Sequence, residues 1–138
     1  MKLNSKVRLL ITCDSSAGAG KTTAAKYLSK RLGLSLLTSG LLYRYVAYKL
    51  MFSKRKVTDV SFLKKITKNI SSKHLKNHKL YSPEVTEFTS KIAKIKKVRM
   101  LLRNYQKRFA RKRLAVCDGR DQGFLFKNAD VKFFFKCS

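Results

Sequence analysis

An α/β fold built on a mostly parallel sheet is the class this sequence predicts, and three observations carry the prediction. Short apolar runs of strand length alternate with longer stretches of helical period: Val7 to Thr12, Leu34-Ser35-Leu36-Leu37, Leu114-Ala115-Val116-Cys117 and Val131 to Phe135. The first run leads through a turn of small residues into a helix, the geometry of a phosphate-binding loop. After the third run comes Asp118-Gly119-Arg120-Asp121, at a strand's carboxyl end, where open α/β sheets carry their binding groups.

Composition sets the outer bounds. A chain of 138 residues, 44% hydrophobic and 11% aromatic, is one domain by length and can bury a core. No apolar run approaches the roughly 20 residues of a membrane span. The start, Met1-Lys2-Leu3-Asn4-Ser5-Lys6, shows no signal-peptide cleavage pattern, and the three cysteines lack zinc-ligand spacing. A reduced, cytoplasmic setting is therefore expected. Lys and Arg number 33 against 7 acidic residues, a net charge of +26. The lysines are spread over every polar helix face instead of gathering into one arm. They read as a solvated surface that also steers anionic small molecules, and nucleic acid is not the expected partner.

The phosphate loop is Cys13-Asp14-Ser15-Ser16-Ala17-Gly18-Ala19-Gly20-Lys21-Thr22-Thr23. Successive backbone N–H groups from Ser15 to Thr23 are expected to line one concavity that an anion fills. Lys21 would place a point charge at the β- and γ-phosphates of a nucleoside triphosphate, and Thr22 would offer its hydroxyl to Mg²⁺. Ser15 stands where the strict motif has its first glycine. If that position needs a positive φ, serine costs roughly 1–2 kcal/mol there.

Along the chain, Ala24, Leu28 and Leu32 lie at four-residue spacing on the helix Thr23 to Leu32, with Gly33 placed to end it. A second strand follows at Leu34 to Leu37. Thr38-Ser39-Gly40 then opens a helix with Leu42, Val46 and Leu50 inward, and with Tyr43 and Arg44 in its first two turns. Asp59 is positioned to cap a helix bearing Leu63, Ile66 and Ile70. Ser71 to Lys79 is polar and reads as loop, and its His74 and His78 have no acidic or thiol partner nearby that would argue for zinc. Ser82-Pro83-Glu84 is a sharp helix start: a capping serine, a proline at the first position, then an acid at the positive dipole end. That helix carries Val85, Phe88, Ile92 and Ile95 inward. The next carries Val98, Leu101, Leu102, Tyr105 and Phe109, with Arg103, Lys107, Arg108, Arg111, Lys112 and Arg113 along its polar side and end. A third strand at Leu114 to Cys117, a short connection holding Gly123 and Asn128, and a strongly apolar strand at Val131 to Phe135 complete the reading. Cys13-Asp14 and Cys117-Asp118 end two strands that such a fold sets side by side. The cysteines are expected as buried neighbours, and both aspartates near the metal site.

Taken together, these segments resemble the bacterial cytidylate kinases of the P-loop nucleoside-monophosphate kinase group. The resemblance runs in order over nearly the whole chain: Asp14 to Thr23, then Leu37-Thr38-Ser39-Gly40-Leu41-Leu42-Tyr43-Arg44, Ser82-Pro83-Glu84-Val85 with Ser90 and Arg99, and Asp118-Gly119-Arg120-Asp121 before Val131-Lys132-Phe133-Phe134. It implies a three-layer α/β/α P-loop kinase fold, with residues 1–38 and 114–138 as the phosphate-loop core and 39–113 as a helical monophosphate-binding segment. It implies ATP and Mg²⁺ as cofactors and CMP or dCMP as acceptor. Ser39, Tyr43 and Arg44 would line the monophosphate site, and Ser90, Arg99 and Asp121 would read the cytosine edge. Arg120 would bind phosphate, and Asp118 would stand near the Mg²⁺ shell. Lys21, Arg44 and Arg120 would carry the chemistry by neutralising charge.

The departures from the family pattern are Ser15-Ser16 in place of Gly-Pro, Thr38 in place of an aspartate, and a shorter insert before Ser82. By the same comparison the family's lid, further arginines and last strand would follow Ser138. The expectation is then a monomer that self-associates through an open sheet edge and that binds nucleotides better than it turns them over. Two other readings are a kinase for another small acceptor and a basic, non-catalytic nucleotide- or RNA-binding remnant.

Overall fold

The computed structural model describes residues 3–15 and 21–136. Four strands, β1 (Leu9–Ser15), β2 (Ser35–Thr38), β3 (Leu114–Gly119) and β4 (Val131–Phe135), form one sheet in the order β2-β3-β1-β4. Every adjacent pair is parallel. The described residues also form seven helices: α1 (Lys21–Leu32), α2 (Ser39–Phe52), α3 (Val60–Lys68), α4 (Ser72–Leu75), α5 (Pro83–Ile92), α6 (Lys96–Phe109) and α7 (Gln122–Leu125), with a 3-10 turn at His78–Tyr81. The chain divides into two compact units, Met1–Ser39 with Gln106–Ser138, and Gly40–Tyr105.

In the first unit the register decides everything about the sheet's two faces. Ile11 is paired with Val116, which is itself paired with Leu36, and Cys13 is paired with Asp118, which is paired with Thr38. Side chains alternate along a strand, so each such row shares one face. Ile11, Cys13 and Val116 pack with Ala25, Leu28 and Leu32, so this is the face that α1 covers. Thr12, Asp14 and Cys117 leave on the opposite face.

β1 runs two to three residues later than the apolar run predicts, because Cys13, Asp14 and Ser15 all keep their ladder partners in β4. Among the described non-glycine residues only Lys54 has a positive φ, so Ser15 ends the strand in an ordinary conformation and bears no left-handed penalty there. Gly33 ends α1 with φ 69°, and the Leu34 N–H returns to the Ser29 carbonyl at 2.9 Å, a glycine-terminated helix end.

β4 forms where the apolar run places it, but it is not core. It is an edge strand, and Val131, Phe133 and Phe134 are all exposed. β-propensity puts those residues in a strand, whereas their position in the sheet order decides what covers them.

The second unit is helical. Asp59 accepts from the Phe62 N–H and caps α3, and Ser82 accepts from the Val85 N–H and caps α5, with Pro83 at its first position. Leu42, Val46 and Leu50 of α2 are buried, as are Leu63, Ile66 and Ile70, Val85 and Ile92, and Val98 and Leu102. The stretch expected as loop, Ser71 to Lys79, instead forms α4 and begins the 3-10 turn. Ser71 and His74 cap each other reciprocally, the His74 ring stacks on Tyr45 at 5.4 Å, and Leu80 is fully buried. Those contacts order a segment too polar to be helical on its own pattern.

Candidate functional site

The segment that would cradle phosphate lies in sequence between β1, which ends at Ser15, and α1, which begins at Lys21. Ser16, Ala17, Gly18, Ala19 and Gly20, and the side chains of Lys21 and Thr22, lie outside the described residues. Thr23 is exposed in the first turn of α1, and Ser15 is buried at 3% exposure.

Asp118, next to last in β3, lies on the face that α1 covers. It is fully buried, and its Oδ2 accepts from the Thr38 hydroxyl at 3.0 Å. Thr38, the residue that departs from the family pattern, thus orients the carboxylate beside it in the sheet. Asp14 has a different employment. Its position in the register is opposite Gly119, one step beyond Asp118, so its side chain leaves on the other face. There its Oδ1 accepts from the Gln122 N–H at 2.7 Å and its Oδ2 from the Gly123 N–H at 2.6 Å. The expectation placed both aspartates near one metal site; pleat alternation sends them to opposite faces, and Asp14 is the N-terminal anchor of α7.

That anchor fixes the loop carrying Arg120 and Asp121. Gln122, fully buried, extends it by donating from Nε2 to Gln106 Oε1 at 3.0 Å and to Asp121 Oδ1 at 3.4 Å. Gly119 has no room for a side chain, since a Cβ there would collide with the Ser39 Oγ and sit 2.9 Å from Gln122 Nε2. Ser39, Gly119, Gln122 and Asp121 therefore form one tight group at the carboxyl ends of β2 and β3. Arg120 is exposed and Asp121 half-buried. Sequence reasoning missed Gln122 and Gln106, whose only signal is two polar residues at positions that turn out to be buried.

Both β-strand cysteines are buried and free, and they leave the sheet on opposite faces, which keeps them unbridged. Burial, with Asp118 and Asp14 nearby, pushes the Cys13 thiol up to about 11. Burial, with Asp118, Cys13 and Asp14 behind it, pushes Cys117 up to about 12.

In the second unit, Arg44 is half-buried on α2. Its Nη1 donates to the Leu80 carbonyl at 3.0 Å and the Thr86 hydroxyl at 2.8 Å, and its guanidinium carbon lies 5.0 Å over the Tyr81 ring. Tyr43 is half-buried beside it in sequence. Ser90 is exposed near the end of α5 and donates to the Glu87 carbonyl at 2.7 Å, while Arg99 on α6 donates to the Ala93 carbonyl at 3.2 Å. Among the described residues no group of three or more His, Cys, Asp or Glu could hold a metal ion, and no helix is long and apolar enough to cross a membrane.

A parallel sheet whose inner strand β1 is followed in sequence by the small-residue segment and then by α1, with an aspartate-bearing strand beside it, is the arrangement of a P-loop α/β fold. The more particular assignment comes from comparison. Residues 11–138 match the family model described as cytidylate kinase, and the chain belongs to that family. It is 35% identical over 137 residues to the cytidylate kinase of Clostridioides difficile, an alignment covering 91% of this chain and 63% of that protein. It is 37% identical over 131 residues to the cytidylate kinase of Acidiphilium cryptum, covering 94% of this chain and 62% of that protein. A bifunctional pantoate ligase/cytidylate kinase of Prochlorococcus marinus is 34% identical over 151 residues, covering 96% of this chain and 29% of that protein. The chain thus spans just under two thirds of the length of the first two relatives.

Proposed function

We propose that this chain carries the catalytic core of a nucleoside-monophosphate kinase that moves the γ-phosphoryl group of ATP onto CMP or dCMP. The observation that carries the reading is the family match over residues 11–138, which takes in every motif segment from the phosphate loop to β4. An oxygen of the acceptor phosphate forms the new P–O bond, and the bond to the β–γ bridging oxygen breaks, leaving ADP. The acceptor oxygen is already ionised, so no catalytic base is needed, and the protein's work is positioning and charge neutralisation.

Lys21 binds the β- and γ-phosphates, with the backbone of Ser15 to Thr23 around them. Arg44 and Arg120 bind phosphate at the acceptor end, and Ser39 and Tyr43 line the monophosphate. Asp118 and Thr22 would hold magnesium: the Asp118 carboxylate is a hard oxygen donor on the α1 face, and Thr22 would add its hydroxyl. When bound the ion supplies neutralisation of phosphate charge. Asp121 and Arg99, with Ser90, read the base. Cytosine presents an exocyclic NH₂ donor where uracil presents an oxygen acceptor, and a carboxylate such as that of Asp121 accepts from the former and repels the latter.

The test is a coupled ADP-release assay with CMP, dCMP, UMP and AMP as acceptors. The cytosine nucleotides should lead UMP by roughly ten- to hundred-fold, the effect of one unpaired buried polar group. Equal rates with UMP and CMP would overturn the base-reading assignment, and a preference for AMP would favour another small acceptor.

A further inference from the structure

Arg44 is held in a way that a merely structural arginine has no need of. A guanidinium has five N–H donors in a rigid plane. Both hydrogens of Nη1 are engaged, one by the Leu80 carbonyl at 3.0 Å and one by the Thr86 hydroxyl at 2.8 Å. One face of the plane lies over the Tyr81 ring at 5.0 Å. All three partners come from residues 80–86, the end of the 3-10 turn and the first turn of α5.

Two features of this arrangement point outward to a ligand. Among the described residues Nε–H and the Nη2 hydrogens make no hydrogen bond, and these form the side edge of the fork, the edge that takes two oxygens of a phosphate or carboxylate at once. None of the three partners carries a negative charge, although α5 bears Glu84 and Glu87, and Glu87 pairs instead with Lys91. Arg44 is thereby oriented by neutral acceptors and a π face that leave its full positive charge available. A carboxylate partner would have fixed it equally well and quenched its pull on an anion.

We infer that Thr86, Tyr81 and the Leu80 carbonyl form a preorganising cradle for Arg44, presenting its Nε/Nη2 edge to the phosphate dianion of the acceptor nucleotide. This rests on the acceptor-site reading of Arg44 above and adds two positioning residues, Thr86 and Tyr81, that no motif marks. The cradle acts before binding. It removes the rotamer freedom that a long arginine would otherwise lose when the phosphate arrives, so its effect falls on affinity for the phosphate and not for the base.

Calorimetric titration with CMP and with cytidine, which shares the base and sugar but lacks the phosphate, separates these roles. For Thr86→Val, which replaces an exposed hydroxyl by a methyl group of the same shape, CMP affinity should fall about tenfold while cytidine affinity holds. Thr86→Ser should recover most of the loss, and Tyr81→Leu should reproduce it with the hydroxyl intact. Circular dichroism melts establish that each variant is folded. Unchanged CMP affinity in folded Thr86→Val overturns the cradle, as does a parallel loss for CMP and cytidine, which marks a general disturbance of α5. A wild-type chain that binds neither compound overturns the acceptor-site reading itself, and the inference with it.

Discussion

The two hydrogen bonds that Asp14 accepts make the sharpest test of how the sheet positions its loops. The carboxylate is only 7% exposed, and its two oxygens meet the Gln122 and Gly123 N–H groups at 2.7 and 2.6 Å. Asp14→Asn keeps one acceptor but turns an NH₂ toward the second N–H, so a charge-assisted bond is lost and a donor faces a donor. A hydrogen bond to a charged group contributes about 1.5–3 kcal/mol, and a buried unsatisfied donor costs about 1–3 kcal/mol. These overlap, and about 2–4 kcal/mol of destabilisation is expected. At roughly 2.1 cal/mol/K of unfolding entropy per residue, a chain of this size loses roughly 3.5 °C of Tm per kcal/mol, hence roughly 7–14 °C. Thermal melts at pH 7, followed by circular dichroism, measure this directly. Gly123→Ala is no substitute perturbation, because its Cβ would meet Asp14 Oδ2 at 3.1 Å and disturb the same bond from the other side. A shift below about 2 °C for Asp14→Asn would mean that the α7 anchor contributes little and that the loop from Arg120 to Gln122 is held by something else.

The other expectations follow from single contacts. Gly119→Ala should destabilise by about 1–3 kcal/mol and weaken CMP binding, because the new Cβ collides with the Ser39 Oγ; urea melts and CMP titration that match wild type would refute the crowding. Lys21→Ala should abolish the thermal stabilisation given by MgATP, since it removes the cation at the β- and γ-phosphates, and an unchanged shift would overturn the phosphate-loop assignment. Both buried thiols titrate above their ordinary 9.0 in the folded chain, Cys13 at about 11 and Cys117 at about 12. Their contribution to stability is therefore complete below pH 9 and is lost as pH rises through the folded values, because the unfolded chain releases those protons first. Between pH 8 and pH 10.5 the urea midpoint of the wild type should fall further than that of a Cys13→Ala/Cys117→Ala variant, and parallel losses would refute the assignment.

Much of the local structure could be read directly from the chain. Asp59 and Ser82 cap helices because each reaches an N–H three residues on, a contact that needs nothing beyond the segment itself. The inward positions Leu42, Val46 and Leu50 follow from helical spacing, and Val131 to Phe135 follows from β-propensity. The motif segments likewise stand in the sequence as words of the family, since the residues that would hold phosphate are neighbours along the chain.

What the tertiary structure decided is every relation carried by distant partners. α7 is not legible locally because its N-terminal anchor is Asp14, more than a hundred residues earlier, while the side chain of its N-cap residue Asp121 makes no capping hydrogen bond. The separate roles of Asp14 and Asp118 depend on a one-residue offset between β1 and β3, which sends their side chains to opposite faces, and a single strand's pattern carries no register. β4 was legible as a strand, but its exposed phenylalanines are a consequence of its place at the sheet edge. The sequence neighbours of Arg44 make it a candidate phosphate ligand. Its direction is set by Leu80 and Thr86, 36 and 42 residues on, because a flexible side chain takes its orientation from whatever the fold brings to its tip.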